Sequence, residues 1–358
     1  MNVDKIKINH YYWLDLLRFL AALAVVVSHS KGLFIADFAD LSPAYQTPIV
    51  RVFLSFISQG HLAVLCFFVL SGFLVGGKTL EKIINNSFSY KLYCIDRFVR
   101  IMLPLLPSLL LIIIVNVIIG KNYSAFDYLG NLLSLQGVVC DPVSGPLWSL
   151  SYEVWCYILM FGIASFFLCG KGLKYGLFVL LVTFLVYTKL HVVYLFVWLL
   201  GLICYFMYLN IDMWKIKRIN RKISFIVNLL FLLVFDIMVK YYFQKNIQIR
   251  YIGELMFSFC FVLLVLNIIQ ITPKSRVMNF IDSWGSKMAK FSYTLYLSHY
   301  AILQLLNLVY PKSCNLDIQT LGIWLLSVIA CVLSAYFLYL IGEKHTYGVK
   351  QYIKTRIK

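Results

Sequence analysis

Apolar runs of about 20 residues recur along the whole chain, separated by short polar breaks. As a helix, a run of that length crosses about 30 Å of hydrocarbon. The pattern predicts ten spans: Trp13–Phe34, Val52–Val75, Ile101–Ile119, Gly145–Leu168, Leu173–Thr188, Val192–Leu209, Ser224–Phe243, Tyr251–Ile271, Phe291–Tyr310 and Gln319–Ile341. Only Lys189–His191 divides the fifth from the sixth. The first run is read as a span and not as a signal peptide. It is too long, it carries charge, and it lacks a small-residue cleavage site. The expected fold class is an all-α polytopic integral membrane protein, a single domain over residues 1–358 with a short terminus at 1–12 and a basic tail at 342–358.

Composition agrees. Hydrophobic residues make up 61% of the chain and charged ones 13%, too few charges to cover a soluble surface. The formal charge is +17, and its distribution gives orientation. Ten spans put both termini on one side, whose loops carry 23 of the 32 Lys and Arg, against 7 on the other. By the positive-inside rule both termini face the cytoplasm. The basic excess is thus accounted for by the lipid bilayer and calls for no nucleic acid. The nine cysteines have no zinc or redox spacing, so no metal is expected. Cys140 and Cys314 fall in predicted outer loops, where pairing stays open.

Against this apolar background the buried charges carry the chemistry. LDLLRFLAALAVVVSHS, Leu14 to Ser30, holds Asp15, Arg18 and His29. A charge at the centre of a span costs at least about 2.5–3.5 kcal/mol, so such residues are rare and mostly functional. Arg18 and His29 are eleven residues apart, close to three turns, and share one face about 16 Å apart along the axis. Asp15 stands three residues before Arg18, at ion-pair spacing. In RFVRIMLPLLP, Arg97 and Arg100 share a face where a basic loop enters the third span. Paired guanidinium forks suit a phosphate, and they equally suit an inner-leaflet anchor. GPLWSLSYEVWCYIL places Trp148 at the start of the fourth span and Glu153 a turn and a half inside it. A His29–Glu153 pair would serve general-base chemistry on a hydroxyl, while a lone Glu153 would neutralise a neighbouring cation. Ser71 and Gly72 in FFVLSGFLVGG are small enough for a backbone or a slim ligand to approach. SYTLYLSHYAIL sets Tyr293, Tyr296, His299 and Tyr300 at helical spacing, as packing or as a site wall.

Taken together, these segments resemble the membrane acyltransferase 3 family. The Arg18–ten residues–His29 spacing after LDLL, then FFVLSGF, RFVR, LWSLSYE and SYTLYLSH stand in that family's order from about Tyr12 to Glu343. The resemblance implies ten helices in a bacterial inner membrane and transfer of an acyl group, commonly acetyl. The donor it implies is cytosolic acyl-CoA, acetyl-CoA above all, and the acceptor is a hydroxyl of an extracytoplasmic, membrane-bound glycan of the lipid-linked O-antigen or capsule type. By it Arg18, His29, Arg97, Arg100 and Glu153 fall on family motif positions. Taken with the residue reading, His29, Glu153 and Arg18 are expected in catalysis, Arg97, Arg100, Ser71 and Gly72 on acyl-CoA, and Trp148, Tyr293 and His299 on the substrate. Two departures stand out. Glu153 is followed by Val154 where relatives often carry a second Glu. The last span is followed by Glu343-Lys344-His345 where many have Glu, a basic residue and Pro, so no role is carried over to Glu343. The chain is expected to be the stand-alone form, without the soluble esterase-like domain many relatives bear. The competing class is a transporter or carrier, which would also need buried Arg, His and Glu. It predicts paired interrupted helices in two related halves, and no such repeat is visible.

Overall fold

The computed structural model describes residues 11, 13–168, 173–210, 225–234 and 247–357. The predicted residues 1–10 and 12, and all but Phe225–Val234 of the seventh span, lie outside them. Every regular element described is helical; strand-type pairing among the described residues is limited to two isolated bridges.

The first span is helix α1, Leu14–Phe34. Helix α1 begins at the near end of the bundle. After α1 come α2 (Pro48–Ile57) and α3 (Gly60–Ser71). Helix α3 runs through a π-helical stretch, Gly72–Gly77, into α4 (Lys78–Ile84) at the near end. Next are α5 (Tyr90–Ile118), α6 (Ala125–Leu132), α7 (Trp148–Leu168), α8 (Leu173–Tyr187) and α9 (Val192–Leu209). Then follow the short α10 (Phe225–Val234), α11 (Ile247–Ile268), α12 (Arg276–Ala289), α13 (Ser292–Val309), α14 (Ile318–Ile341) and α15 (Thr346–Ile357).

Seven described segments are long and apolar enough to cross a membrane: Leu14–Phe34, Pro48–Ile84, Tyr90–Ile118, Gly145–Leu168, Val192–Leu209, Ile247–Ile268 and Ile318–Ile341. The chain is thus an all-α, multi-pass membrane protein. Two predicted spans fall short. Helix α8 has only 15 residues, and α13 breaks its apolar run with Ser298, His299, Gln304 and Asn307. The predicted second span, Val52–Val75, lies within the Pro48–Ile84 segment and begins inside α2, which ends at Ile57. Ile49, Val52 and Phe56 of α2 are exposed on one face, so α2 reads as an amphipathic helix leading into the segment.

The outward surface explains the composition. On α14, Leu326 and Leu333 are each 65% exposed, while Ser327, Cys331 and Ala335 face inward. That inversion of a soluble helix is what hydrocarbon solvent permits. Inside, polar side chains find backbone partners within their own helix: Ser108 donates to the Pro104 carbonyl and Ser258 to that of Glu254.

Helix α1 packs against α3, α12, α13 and α14, so its polar face is enclosed by other helices. The π stretch packs on α9 by small residues. A Cβ on Gly72 would lie 1.9 Å from the Trp198 carbonyl oxygen, and one on Gly201 2.0 Å from that of Val69. The assignment of Gly72 to the donor is therefore corrected: its open side is filled by α9 backbone and meets no cavity. Gly72→Leu forces two helix backbones apart. Overpacking of this kind costs about 1–3 kcal/mol or more. The expected result is a clear fall in thermal transition by fluorescence-detected size exclusion, and an unchanged transition would contradict it.

Candidate active site

Arg18 lies one turn into α1, where Asp15 accepts its Nη2 donor at 2.5 Å. Helix α5 brings Arg97 and Arg100 to the same region. It is capped at Ser89, so both arginines sit within a formed helix and not in a loop. Arg18, Arg97 and Arg100 line a cavity of about 250 Å³ together with Ser71, Glu153 and Tyr293. Its walls between the arginines and its other end are largely apolar, with Val64, Phe67 and Phe68 of α3.

Each cation is held differently. Arg97 lies over the rings of Tyr157 and Tyr93, at 5.4 and 5.9 Å from their centroids. Arg100 faces Tyr293 at 5.7 Å and meets Glu343 at 3.1 Å. Glu343, only 4% exposed, also accepts from the backbone N–H and hydroxyl of Thr294, at 3.2 and 2.7 Å. The sequence marked Glu343 only as the Glu of a family motif whose Pro is replaced by His345, and so carried no role over to it. Its place is set by α14 ending beside the third turn of α5.

Glu153 is also placed differently from expectation. Its Oε1 accepts from the Tyr157 hydroxyl and, at 3.4 Å, from that of Ser71. Ser71 in turn accepts from Trp198 Nε1 at 3.2 Å. The predicted contact with His29 is absent, because Glu153 faces α3 and the arginine cavity while His29 faces α13. Tyr157 follows Glu153 by four residues, a spacing that could have been read from the sequence. Trp148 packs among His61, Phe68, Tyr152 and Tyr194 and does not line the cavity.

The partner of His29 is His299. His29 Nδ1 is 2.8 Å from His299 Nε2, and the ring planes are parallel within 7°. The other nitrogen of His299, Nδ1, lies 2.8 and 3.0 Å from the carbonyl oxygens of Tyr296 and Leu295. Carbonyls only accept, so Nδ1 carries the proton and Nε2 of the neutral ring is an acceptor. His29 Nδ1 must then donate, which leaves a lone pair on His29 Nε2. The buried His299 thereby selects the tautomer in which His29 is a base. The cavity runs from the arginines to Ser149 and Tyr296, whose hydroxyls are 2.6 Å apart. His299 lies one helical turn beyond Tyr296.

A further network stands apart from this cavity. Glu254, fully buried, binds His61 Nε2 at 2.8 Å and lies 3.1 Å from Arg250 Nε. The sequence reading passed over all three. Cys140 and Cys314 are free thiols, unpaired with each other.

Neither histidine lines the cavity; the pair stands beyond its Tyr296 end. A multi-pass helical membrane protein with a cationic cavity and a buried histidine pair beyond it has the parts of an acyl-transfer enzyme, and the family comparison agrees. Residues 11–343 match the family described as acyltransferase domain, and the chain belongs to the membrane acyltransferase 3 family. It is a membrane acyltransferase. No curated protein and no solved structure matches it.

Replacing the Glu343 carboxylate tests the cavity wall. Glu343→Gln weakens the bonds from Thr294 and leaves Arg100 without its counter-charge. Hydrogen bonds to charged groups contribute about 1.5–3 kcal/mol, and a stability loss in that range is expected by thermal or denaturant unfolding in detergent. A parent-like transition would show that Glu343 stands there without supporting the wall.

Proposed function

We propose that the protein transfers an acyl group, acetyl in the simplest case, from acyl-CoA to a hydroxyl of a membrane-bound glycan, and that it does so from one side of the bilayer to the other. The observation that carries this reading is the His29–His299 tautomer. It leaves His29 Nε2 unprotonated beyond the Tyr296 end of the cavity, about 16 Å along α1 from Arg18. In this reading ten helices cross a bacterial inner membrane, both termini are cytoplasmic, and the arginine end faces the donor.

The step follows from the hydrogen-bond pattern. The phosphorylated head of acyl-CoA sits among the cations, and its pantetheine arm lies along the apolar walls toward Tyr296. His29 Nε2 takes the proton of the acceptor hydroxyl as its oxygen attacks the thioester carbonyl. The tetrahedral intermediate collapses and expels the CoA thiolate, which takes the proton back from His29 Nε2 and leaves as the thiol, and the new ester leaves on the glycan. The charge on the imidazolium is shared through Nδ1–H with His299. It goes no further, because the Leu295 and Tyr296 carbonyls cannot take a proton. His299 is thus a positioning residue for the base. Glu153 is not: it balances Arg18 and Arg97 within the cavity and offers an acceptor to the amide groups of the arm.

Inverted vesicles fed labelled acetyl-CoA, with label sought in glycan, test the reading directly. Transfer with a dependence on the protein is expected. Its absence, together with uptake or exchange of a solute, would favour a carrier. Loss of a general base costs about 10²–10⁴-fold, so His29→Ala should lower transfer by that much while CoA binding persists. His299→Ala should lower turnover with little change in KM and shift the pH–rate profile, because His29 is then free to hold its proton on either nitrogen. A His299→Ala protein that loses only stability, with the parent pH profile, would remove His299 from the mechanism.

A further inference from the structure

A second cavity, about 430 Å³, adjoins the first at the near end, and Arg18, Arg100 and Lys350 line both. Its walls come from α12, the turn after α14, and the first two turns of α15. Five cations border it: Arg18, Arg100, Lys290, Lys344 and Lys350. The two carboxylates in its wall are already committed. Asp15 is held by Arg18, and Glu343 by Arg100 and Thr294. Lys290 and Lys344 therefore add charge that neither carboxylate offsets, and Lys350 has only Asp96, which it shares with Lys354. Two hydroxyls in the same wall, Ser286 Oγ and Thr346 Oγ1, are buried and have no hydrogen-bond partner. A buried hydroxyl without a partner costs about 1–3 kcal/mol, so such a pair beside three lysines marks a place for a polyanion that accepts hydrogen bonds.

Helix α15 is fastened there. Asp96, at the start of α5, takes Lys350 at 3.6 Å and Lys354 at 3.2 Å. Burial lowers the pKa of Lys350, Asp96 opposes that shift, and Arg97 and Arg100 add to it, as expected for an ammonium drawn toward a cationic cavity. Thr346 and Lys350 lie beyond residue 343, where the family match ends.

We propose that this vestibule binds a clustered phosphate group, the 3′-phosphorylated ADP head of acyl-CoA, and that Lys290, Lys350, Ser286 and Thr346 complete the donor site from outside the arginine cavity. The inference rests on the acyl-CoA reading above. It refines the roles of the arginines: Arg100 borders both spaces, whereas Arg97 lines only the narrower one and faces the arm. Lysines act as point charges for phosphate oxygens, and the two hydroxyls donate to the same oxygens.

The test uses the full-length protein in nanodiscs of uncharged phosphatidylcholine, titrated calorimetrically with CoA, with 3′,5′-ADP and with pantetheine. Variants are Lys290→Ala, Lys350→Ala, Lys350→Glu and the Ser286→Ala/Thr346→Val double change. Lys312→Ala removes a distant charge as the control, and all variants are matched for thermal transition. Each lysine-to-alanine change should weaken CoA and 3′,5′-ADP by about 10–100-fold, the equivalent of one charge-assisted contact. Lys350→Glu should weaken them more, and pantetheine binding should not move. If the parent binds CoA and the variants bind 3′,5′-ADP as it does, the vestibule is not the head site, while the acyl-CoA reading stands. If the parent binds neither CoA nor 3′,5′-ADP, that reading fails and this proposal with it. Native mass spectrometry from nanodiscs containing phosphatidylglycerol supplies the last arm. Should Lys290→Ala and Lys350→Ala lose retained anionic lipid and keep nucleotide affinity, the site holds a lipid headgroup and the proposal is overturned.

Discussion

The guanidinium of Arg18 cannot be left in hydrocarbon, and much of the near half of the bundle is arranged around that constraint. Asp15 meets it one turn earlier on the same helix, and the α5 arginines stand across a shared cavity. Glu343 then answers Arg100 from the end of α14, and α13 supplies Thr294 to hold Glu343 in place. One buried charge thus links α1, α5, α13 and α14 into a wall that cannot pack closely. The cavity is the consequence. A bundle of this composition with apolar residues at those positions would close, and it would offer no room for a thin polar substrate to enter the membrane.

The histidine pair answers a different constraint. A buried imidazole needs a partner for each nitrogen it does not use. His299 spends Nδ1 on two carbonyls of its own helix, which cannot take its proton. Its remaining nitrogen can only accept, so His29 is forced to donate from Nδ1 and to keep Nε2 bare. A carboxylate in place of His299 would hold the imidazolium more strongly. The neutral ring holds it less, and it places no additional formal charge in the membrane.

Small residues do the complementary work. Gly72 and Gly201 bring α9 against the π stretch until backbone meets backbone, which fixes the wall that carries Ser71. Ser71 then turns to Glu153 and Trp198, and the Glu153–Tyr157 pair completes that side. This is why FFVLSGF reads as both packing and site: Gly72 faces one way and Ser71 the other, a hundred degrees apart on the helix.

Much was legible from the chain alone. Runs of about 20 apolar residues fix where helices form, because no other regular structure satisfies the backbone in hydrocarbon except a closed barrel. Arg18, His29, Arg97 and Arg100 were conspicuous as charges in such runs, and Asp15 as an i,i+3 partner. Local spacing settles contacts within one helix and nothing between helices. His29 and His299 are 270 residues apart, and Glu343 reaches Arg100 from the far side of nine described helices, α6 to α14. Glu153 shows the limit well: its depth and charge suited His29, yet the rotation of α7 points it at Ser71 and the arginines. Which polar residue answers which depends on helix order and rotation in the bundle. Those are set by the summed packing of small and large side chains over whole interfaces, and only the tertiary structure decides them.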